Sequence, residues 1–210
     1  LFLIDGSSQM YRAYHAIRGL TGPDGRSTNA IYGFSTMLRK LLQDHRPAFI
    51  AAAFDLAGPT FRSELSAEYK ANRAPMPADL VEQVPLVHEA CQALGVPIVT
   101  CAGFEADDVI GTVAMRAVAQ DFDVAIVTGD KDFFQLVGDR VRVFNPRDEG
   151  TWFDAGGVQC LDHGLELVDL AATPSRPDLG RVRGLRREEA ERVVAPVVGE
   201  AARGNTGLGH

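Results

Sequence analysis

Solid apolar runs alternate along most of the chain with stretches in which apolar residues recur every three or four positions. The runs are Leu1–Ile4, Phe49–Phe54, Val96–Thr100, Val124–Thr128 and Val141–Phe144, and each reads as a buried strand. The periodic stretches read as amphipathic helices. One follows Ser7 or Ser8, either of which can cap it, and runs to about Arg18. A turn at Pro23-Asp24-Gly25 precedes a second, capped by Thr28 or Asn29 and carrying Ile31, Phe34, Met37, Leu38, Leu41 and Leu42 at helical spacing. A third spans Asp79–Leu94, closed by Gly95 and open to a kink at Pro85, and a fourth spans Ala106–Ala119.

Strands with no polar face, alternating with helices, predict a mostly parallel sheet covered on both sides, an α/β three-layer domain. No internal repeat is visible, and no glycine-rich phosphate loop of the Rossmann or Walker kind. The pattern changes near Val158. From Asp154 to His210 there is no Phe, Trp, Tyr or Lys, and Arg, Gly, Ala and Val dominate. The expected organisation is therefore a folded unit over residues 1–157 and a different C-terminal region over 158–210.

A formal charge of −7 argues on its own against a nucleic-acid partner, because phosphate contacts need Lys and Arg. The acids are clustered, however, so the sign has to be read locally. The apolar runs fall far short of the roughly 20 residues of a membrane span, no signal peptide is visible, and no membrane partner is expected. Cys91, Cys101 and Cys160 are too few and scattered for a disulfide framework or zinc knuckle, which suits a reducing cytoplasm. The chain begins with Leu, so its natural start is expected upstream.

Three predicted strands end at an aspartate: Asp5, Asp55 and, after Thr128-Gly129, Asp130. Parallel strands bring their carboxyl ends to one edge, where ligands bind in such folds. Glu105, Asp107 and Asp108 follow the third strand at a helix start, where helix capping competes with ligand binding as their role. Asp132 lies two residues past Asp130. Two like charges about 4 Å apart repel by about 4 kcal/mol at an effective dielectric of 20, so gathering these carboxylates calls for protons or cations. An all-oxygen set without His or Cys selects Mg²⁺ or Mn²⁺ over zinc, and such a site can hold two ions about 4 Å apart for phosphodiester hydrolysis. Ser7 and Ser8 lack a His–Asp partner pattern and read as helix caps rather than nucleophiles.

A basic segment follows Asp55: Phe61-Arg62, then Tyr69-Lys70-Ala-Asn-Arg73. Lys70 and Arg73 can share a helix face, and Tyr69 offers a surface for base stacking. Beside an acidic edge, these cations could grip a scissile phosphate.

Seven motifs stand in order: Leu3-Ile-Asp5-Gly-Ser7, Asn29-Ala-Ile-Tyr32-Gly-Phe34, Phe54-Asp55, Thr60-Phe-Arg62, Tyr69-Lys70-Ala-Asn-Arg73, Gly103-Phe-Glu105-Ala-Asp107-Asp108-Val-Ile110 and Thr128-Gly-Asp130-Lys-Asp132. Over residues 1–157 this order resembles the 5′ nuclease domain of bacterial DNA polymerase I, within the flap endonuclease family of PIN-like fold. The resemblance implies a PIN-like sheet domain with a helical arch and a C-terminal helix-hairpin-helix region. It implies that Asp5, Asp55, Glu105, Asp107, Asp108, Asp130 and Asp132 are metal-site residues for two Mg²⁺ or Mn²⁺ ions. It further implies that Asp55, Lys70 and Arg73 serve catalysis and that Arg62, Tyr69, Lys70 and Arg73 contact DNA. The implied activity is 5′-3′ exonuclease and flap endonuclease cleavage of 5′-ended or branched DNA, RNA primers included, in replication and repair. The chain would then be the amino-terminal part of a polymerase whose polymerase segment lies outside it, or a free-standing relative.

The resemblance fades after residue 157. The family's Gly-Asp-x-x-Asp-Asn stretch and glycine hairpin are replaced by Ala171-Ala-Thr-Pro-Ser-Arg-Pro-Asp178 and Gly180-Arg-Val-Arg-Gly184. The hairpin region is therefore degenerate, through decay or a shifted reading frame, and the second metal site lacks its aspartate pair. The competing reading is a folded but inactive DNA-binding fragment.

Overall fold

The computed structural model describes residues 1–60, 75–147 and 150–162. The segment carrying Arg62, Tyr69, Lys70 and Arg73, and the region from residue 163 onward with its degenerate hairpin, lie outside these residues. Strand β1 (Phe2–Asp5) leads into helix α1 (Gly6–Ala16) and then α2 (Asn29–His45). Strand β2 (Ile50–Ala53) follows, then the short α3 (Ala78–Val81), α4 (Val84–Ala93), β3 (Ile98–Val99) and α5 (Ala106–Val118). Strand β4 (Val124–Val127), a 3₁₀ segment (Lys131–Leu136), β5 (Val141–Asn145), β6 (Thr151–Phe153) and α6 (Ala155–Asp162) complete the described chain.

The strands form one sheet in the order β3-β2-β1-β4-β5-β6, parallel except for β6. Strands β1, β2 and β4 are almost wholly buried, as expected for strands covered on both faces. On one face Leu3, Ala51, Ala53, Ile126 and Val143 meet Val109, Ile110 and Val113 of α5. On the other, Phe2, Ile4, Ala52 and Val127 meet Met10 and Ala13 of α1, Phe34 and Leu38 of α2, and Val87 and Cys91 of α4. The three-layer α/β expectation is met. No helix among the described residues is long and apolar enough to cross a membrane.

Several local expectations change. Neither Ser7 nor Ser8 caps α1: the Asp5 side chain does, accepting the Ser8 N–H at 3.0 Å. Thr28 is the residue before α2, but its side chain makes no cap bond. The buried Gln83 caps instead, its Oε1 accepting the N–H groups of Ala30 (2.8 Å) and Ile31 (3.2 Å). Gln83 also donates to Asn29 Oδ1 and the Asp79 carbonyl. That long-range cap explains why the predicted helix Asp79–Leu94 is two helices. The chain breaks at Glu82-Gln83 to supply it, and Pro85 sits in the first turn of α4, where a missing N–H costs nothing. Strand β6 and helix α6 were not expected. Trp152 of β6 packs on Phe144, Phe2 and His45. The turn before it needs glycine at 150, with φ +91° and the Phe144 ring where a Cβ would stand.

Helices α1 and α2 cross at Gly33. A Cβ there would lie 2.9 Å from both Ala13 Cβ and Ile17 Cδ1. Gly33→Ala is expected to push the helices apart and cost about 1–3 kcal/mol. Urea unfolding would show this as a lower midpoint at unchanged slope; an unchanged midpoint would mean the crossing relaxes freely.

Candidate active site at the carboxyl edge of the sheet

After β1 the chain builds β2 and β3 on one side, then crosses to place β4 on the other. The carboxyl ends of β1 and β4 therefore flank the point where strand order reverses, the crevice in which open α/β sheets bind ligands. Asp5 closes β1 at this point and is buried. Its Oδ1 caps α1, and its Oδ2 accepts the hydroxyl of the buried Thr128 at 2.8 Å. The Thr128 Oγ1 in turn accepts the Asp130 N–H at 3.1 Å, and Asp130 Oδ1 accepts the Asp132 N–H at 2.9 Å. One chain of hydrogen bonds thus fixes Asp5 against the loop after β4.

A second chain fixes the other side. The exposed Asp55 follows β2, and its Oδ1 accepts the N–H of Ala106 at the start of α5 (2.8 Å). Glu105 and Asp108 form a capping box there, with the Glu105 N–H donating to Asp108 Oδ2 at 3.1 Å. Capping is therefore a real role of two members of the acidic triplet. Asp107 takes no part in that box.

The electrostatics identify an inner group. Burial raises the pKa of Asp5 above the usual carboxylate range, and the charges of Asp55 and Asp130 push it the same way. Asp107 is raised to about 6, first by desolvation and then by Asp5, Asp130, Asp55 and Glu105. Five predicted acids thus feel one another. Asp108 lies in the cap of α5 beside Glu105, and Asp132 follows Asp130 in the loop after β4. Among the described residues no three His, Cys, Asp or Glu side chains are drawn together as a closed ligand shell. The carboxylates are neighbours in electrostatic contact, and their oxygen-only chemistry fits a hard divalent cation.

A pH-dependent stability effect follows. The folded-state pKa of Asp107 lies above its ordinary 3.8, so ionisation opposes folding. The penalty is absent below the unfolded pKa, grows as pH rises toward 6, and is complete above it. Because Asp107 is only partly withdrawn from solvent, screening reduces it to on the order of 1 kcal/mol. Asp107→Asn should raise the melting temperature by roughly 3 °C at pH 7.5 in chelator and leave it unchanged near pH 4. Equal effects at both pH values would show that the charge is not the cause.

Three residues with structural claims on the site carry no site role in the sequence reading. Thr128 is one. Ser7, expected as a cap, instead accepts the Asp55 N–H on its Oγ at 2.9 Å. Arg12 is the third. Its Nη1 donates to Asn145 Oδ1 at 2.9 Å, and its guanidinium lies over Gly129, where a side chain would collide with it. Asn145 Oδ1 also accepts the Arg147 N–H at 3.1 Å. No carboxylate lies within ion-pair distance of Arg12 among the described residues. Burial and then Arg147 lower its pKa, while Asp5 favours its charge. The sequence signal for Arg12 is its place seven residues, about two helical turns, beyond the capping Asp5.

Known proteins bear on this arrangement. Residues 1–160 match the model of the 5′-3′ exonuclease N-terminal resolvase-like domain. DNA polymerase I of Pseudomonas aeruginosa is 47% identical over 159 residues, 76% of this chain and 17% of that protein. DNA polymerase I of Mycobacterium leprae is 42% identical over 190 residues, 88% of this chain and 20% of that protein. The chain therefore spans about a fifth of the length of these curated relatives. Among solved structures, T5 5′-exonuclease with bound divalent zinc ions superposes with a TM-score of 0.62 at 18% identity, covering 100% of this chain and 80% of that one. T5 D15 protein co-crystallized with metal ions gives a TM-score of 0.57 at 20% identity, covering 73% of this chain and 56% of that one. At those identities the likeness speaks to fold, and it supports the PIN-like architecture. With the family model covering most of the chain, the conclusion is that this protein belongs to the 5′-3′ exonuclease family through its N-terminal resolvase-like domain.

Proposed function

We propose that the chain is a metal-dependent 5′ nuclease module that hydrolyses phosphodiester bonds in 5′-ended or branched DNA, as in replication and repair. The observation that carries this reading is the convergence of Asp5, Asp55, Glu105, Asp107 and Asp130 at the strand-order reversal, tied by the hydrogen bonds through Thr128 and Ala106 and by the charges that Asp5, Asp55, Glu105 and Asp130 exert on Asp107. Bound Mg²⁺ or Mn²⁺, two ions in the full site, would supply the acidification of an attacking water and the neutralisation of charge at the leaving oxygen. Asp5, Asp55, Glu105, Asp107 and Asp130 would provide the inner carboxylates, and Asp108 and Asp132 would complete the set. Buried Asp5 is held rigid by Ser8 and Thr128, which suits it to orient a ligand without reorganisation.

The substrate is a polyanion approaching an acidic edge, so cations must bring it in. Arg12 stands at the β4–β5 side of the edge with no ion-pair partner among the described residues and offers a fork for one phosphate. Lys70 and Arg73, helped by Arg62 and Tyr69, would hold the scissile region on the segment after Asp55. The catalytic unit is assigned to residues 1–157 and the altered region to 158–210, with α6 running through the change in composition.

The second reading, a DNA-binding fragment that cannot cut, rests on the missing aspartate pair near residues 171–178. Single-turnover cleavage of a 5′-flap duplex in Mg²⁺ or Mn²⁺ separates the two. Cutting that depends on metal and stops in Asp130→Ala supports the nuclease. Tight flap binding by a folded protein with no cutting in either metal supports the fragment.

A further inference from the structure

The hydrogen bonds at the carboxyl edge form two chains, one through Asp5, Thr128, Asp130 and Asp132, the other through Asp55 and Ala106. Both are anchored in the first turn of α1, on adjacent residues. Ser8 holds Asp5 through its main-chain N–H, while Ser7 holds Asp55 through its side chain. The two halves differ in how they are fixed. Asp5 is buried, and close packing on every side would limit its movement without any one hydrogen bond. Asp55 is exposed, so no wall of side chains sets its position. Its carboxylate depends on the bond to Ala106, and its main chain on the bond to Ser7.

We propose that Ser7 is a positioning residue of this site, whose hydroxyl keeps Asp55 and the acid-bearing start of α5 in register with Asp5 and Asp130. Ser7 acts through Asp55 and touches no reacting atom. Losing the hydroxyl leaves the first chain of bonds intact and lets the second drift. The consequence for cleavage rests on the nuclease reading; the consequence for geometry and cation binding does not.

The test compares Ser7→Ala with the pair Ser7→Thr and Ser7→Val, which have nearly one shape and differ in the hydroxyl. Three readouts are taken on the 210-residue chain: amide hydrogen exchange at Asp55, Mn²⁺ affinity by electron paramagnetic resonance titration, and single-turnover flap cleavage at saturating protein. In the Ala and Val variants the Asp55 amide should exchange up to about tenfold faster. Mn²⁺ should bind about tenfold more weakly. Cleavage should slow about 10- to 100-fold with unchanged flap affinity, and Ser7→Thr should restore all three. If Ser7→Ala does not fold, the Thr and Val pair decides. Equal Mn²⁺ affinity in Thr and Val would overturn the inference, as would equal cleavage by the two where the wild type cuts. If the wild type does not cut at all, the nuclease reading fails. The inference then stands or falls on whether Val, and not Thr, loses Mn²⁺ affinity and Asp55 protection.

Discussion

Alanine at position 130 is expected to slow single-turnover cleavage of a 5′ flap on the order of a thousandfold or more while leaving the fold intact. The first half of that expectation comes from the site. Asp130 is one of the charges raising both Asp5 and Asp107, so it belongs to the inner group that would hold a cation at the strand-order reversal. Charge stabilisation of this kind is worth several kcal/mol in the transition state, and each ~1.4 kcal/mol is a factor of ten. The second half comes from two opposing effects on stability. Asp130 Oδ1 caps the 3₁₀ segment through the Asp132 N–H, and losing a cap costs about 1 kcal/mol. Removing its charge relieves repulsion toward Asp5 and Asp107, an effect of similar size at this partly exposed position. Melting in chelator should therefore change by only a few degrees. A collapse of the melting temperature would show that Asp130 is chiefly structural, and near-wild-type cleavage would remove it from the site.

The strands and the edge were legible because they depend on local pattern. An unbroken apolar run such as Val124–Thr128 can be buried on both sides in few ways, and parallel pairing then sends Asp5, Asp55 and Asp130 to one edge without further information. The helix caps were not legible, because the partner that satisfies α2 is Gln83, far away in sequence and identifiable only once α3 and α4 pack beside it. The same holds for Ser7. A serine after a strand-ending aspartate reads as a cap, and only the parallel register of β1 with β2, which sets Asp5 opposite Ala53, brings the Asp55 N–H to its hydroxyl. The acidic triplet divides by role for a similar reason. Spacing places Glu105 and Asp108 on one face of α5, where they close a capping box, whereas Asp107 is raised by Asp5, Asp130 and Asp55 from other parts of the edge as well as by Glu105 of the same cap. Edge strand β6 escaped notice because its few half-exposed residues carry no periodicity, and its burial comes from Trp152 reaching the aromatic group around Phe144.

Arg12→Ala is expected to slow flap cleavage roughly 100-fold, the scale of losing one preorganised donor to a developing anion. A half-buried cation ordinarily pairs with a carboxylate, yet among the described residues Arg12 is bonded to the neutral amide of Asn145, with Arg147 opposing its charge and Asp5 favouring it from beyond ion-pair distance. Gly129 leaves open the space that the guanidinium occupies beside Asp130. Such a cation is costly to hold unless an anion completes it, and on the nuclease reading that anion would be a backbone phosphate of the incoming strand. Arg12→Lys keeps the charge but loses the fork that spans Asn145 and the phosphate together, so it should fall between wild type and alanine. Flap affinity should weaken in Arg12→Ala, and its dependence on log salt should become shallower by about 0.7–0.9 for each phosphate that is no longer neutralised. The alternative is that Arg12 merely ties α1 to β5 through Asn145. In that case Asn145→Ala and Arg12→Ala would lower the melting temperature alike, and the salt dependence of flap binding would be the same in both variants as in the wild type.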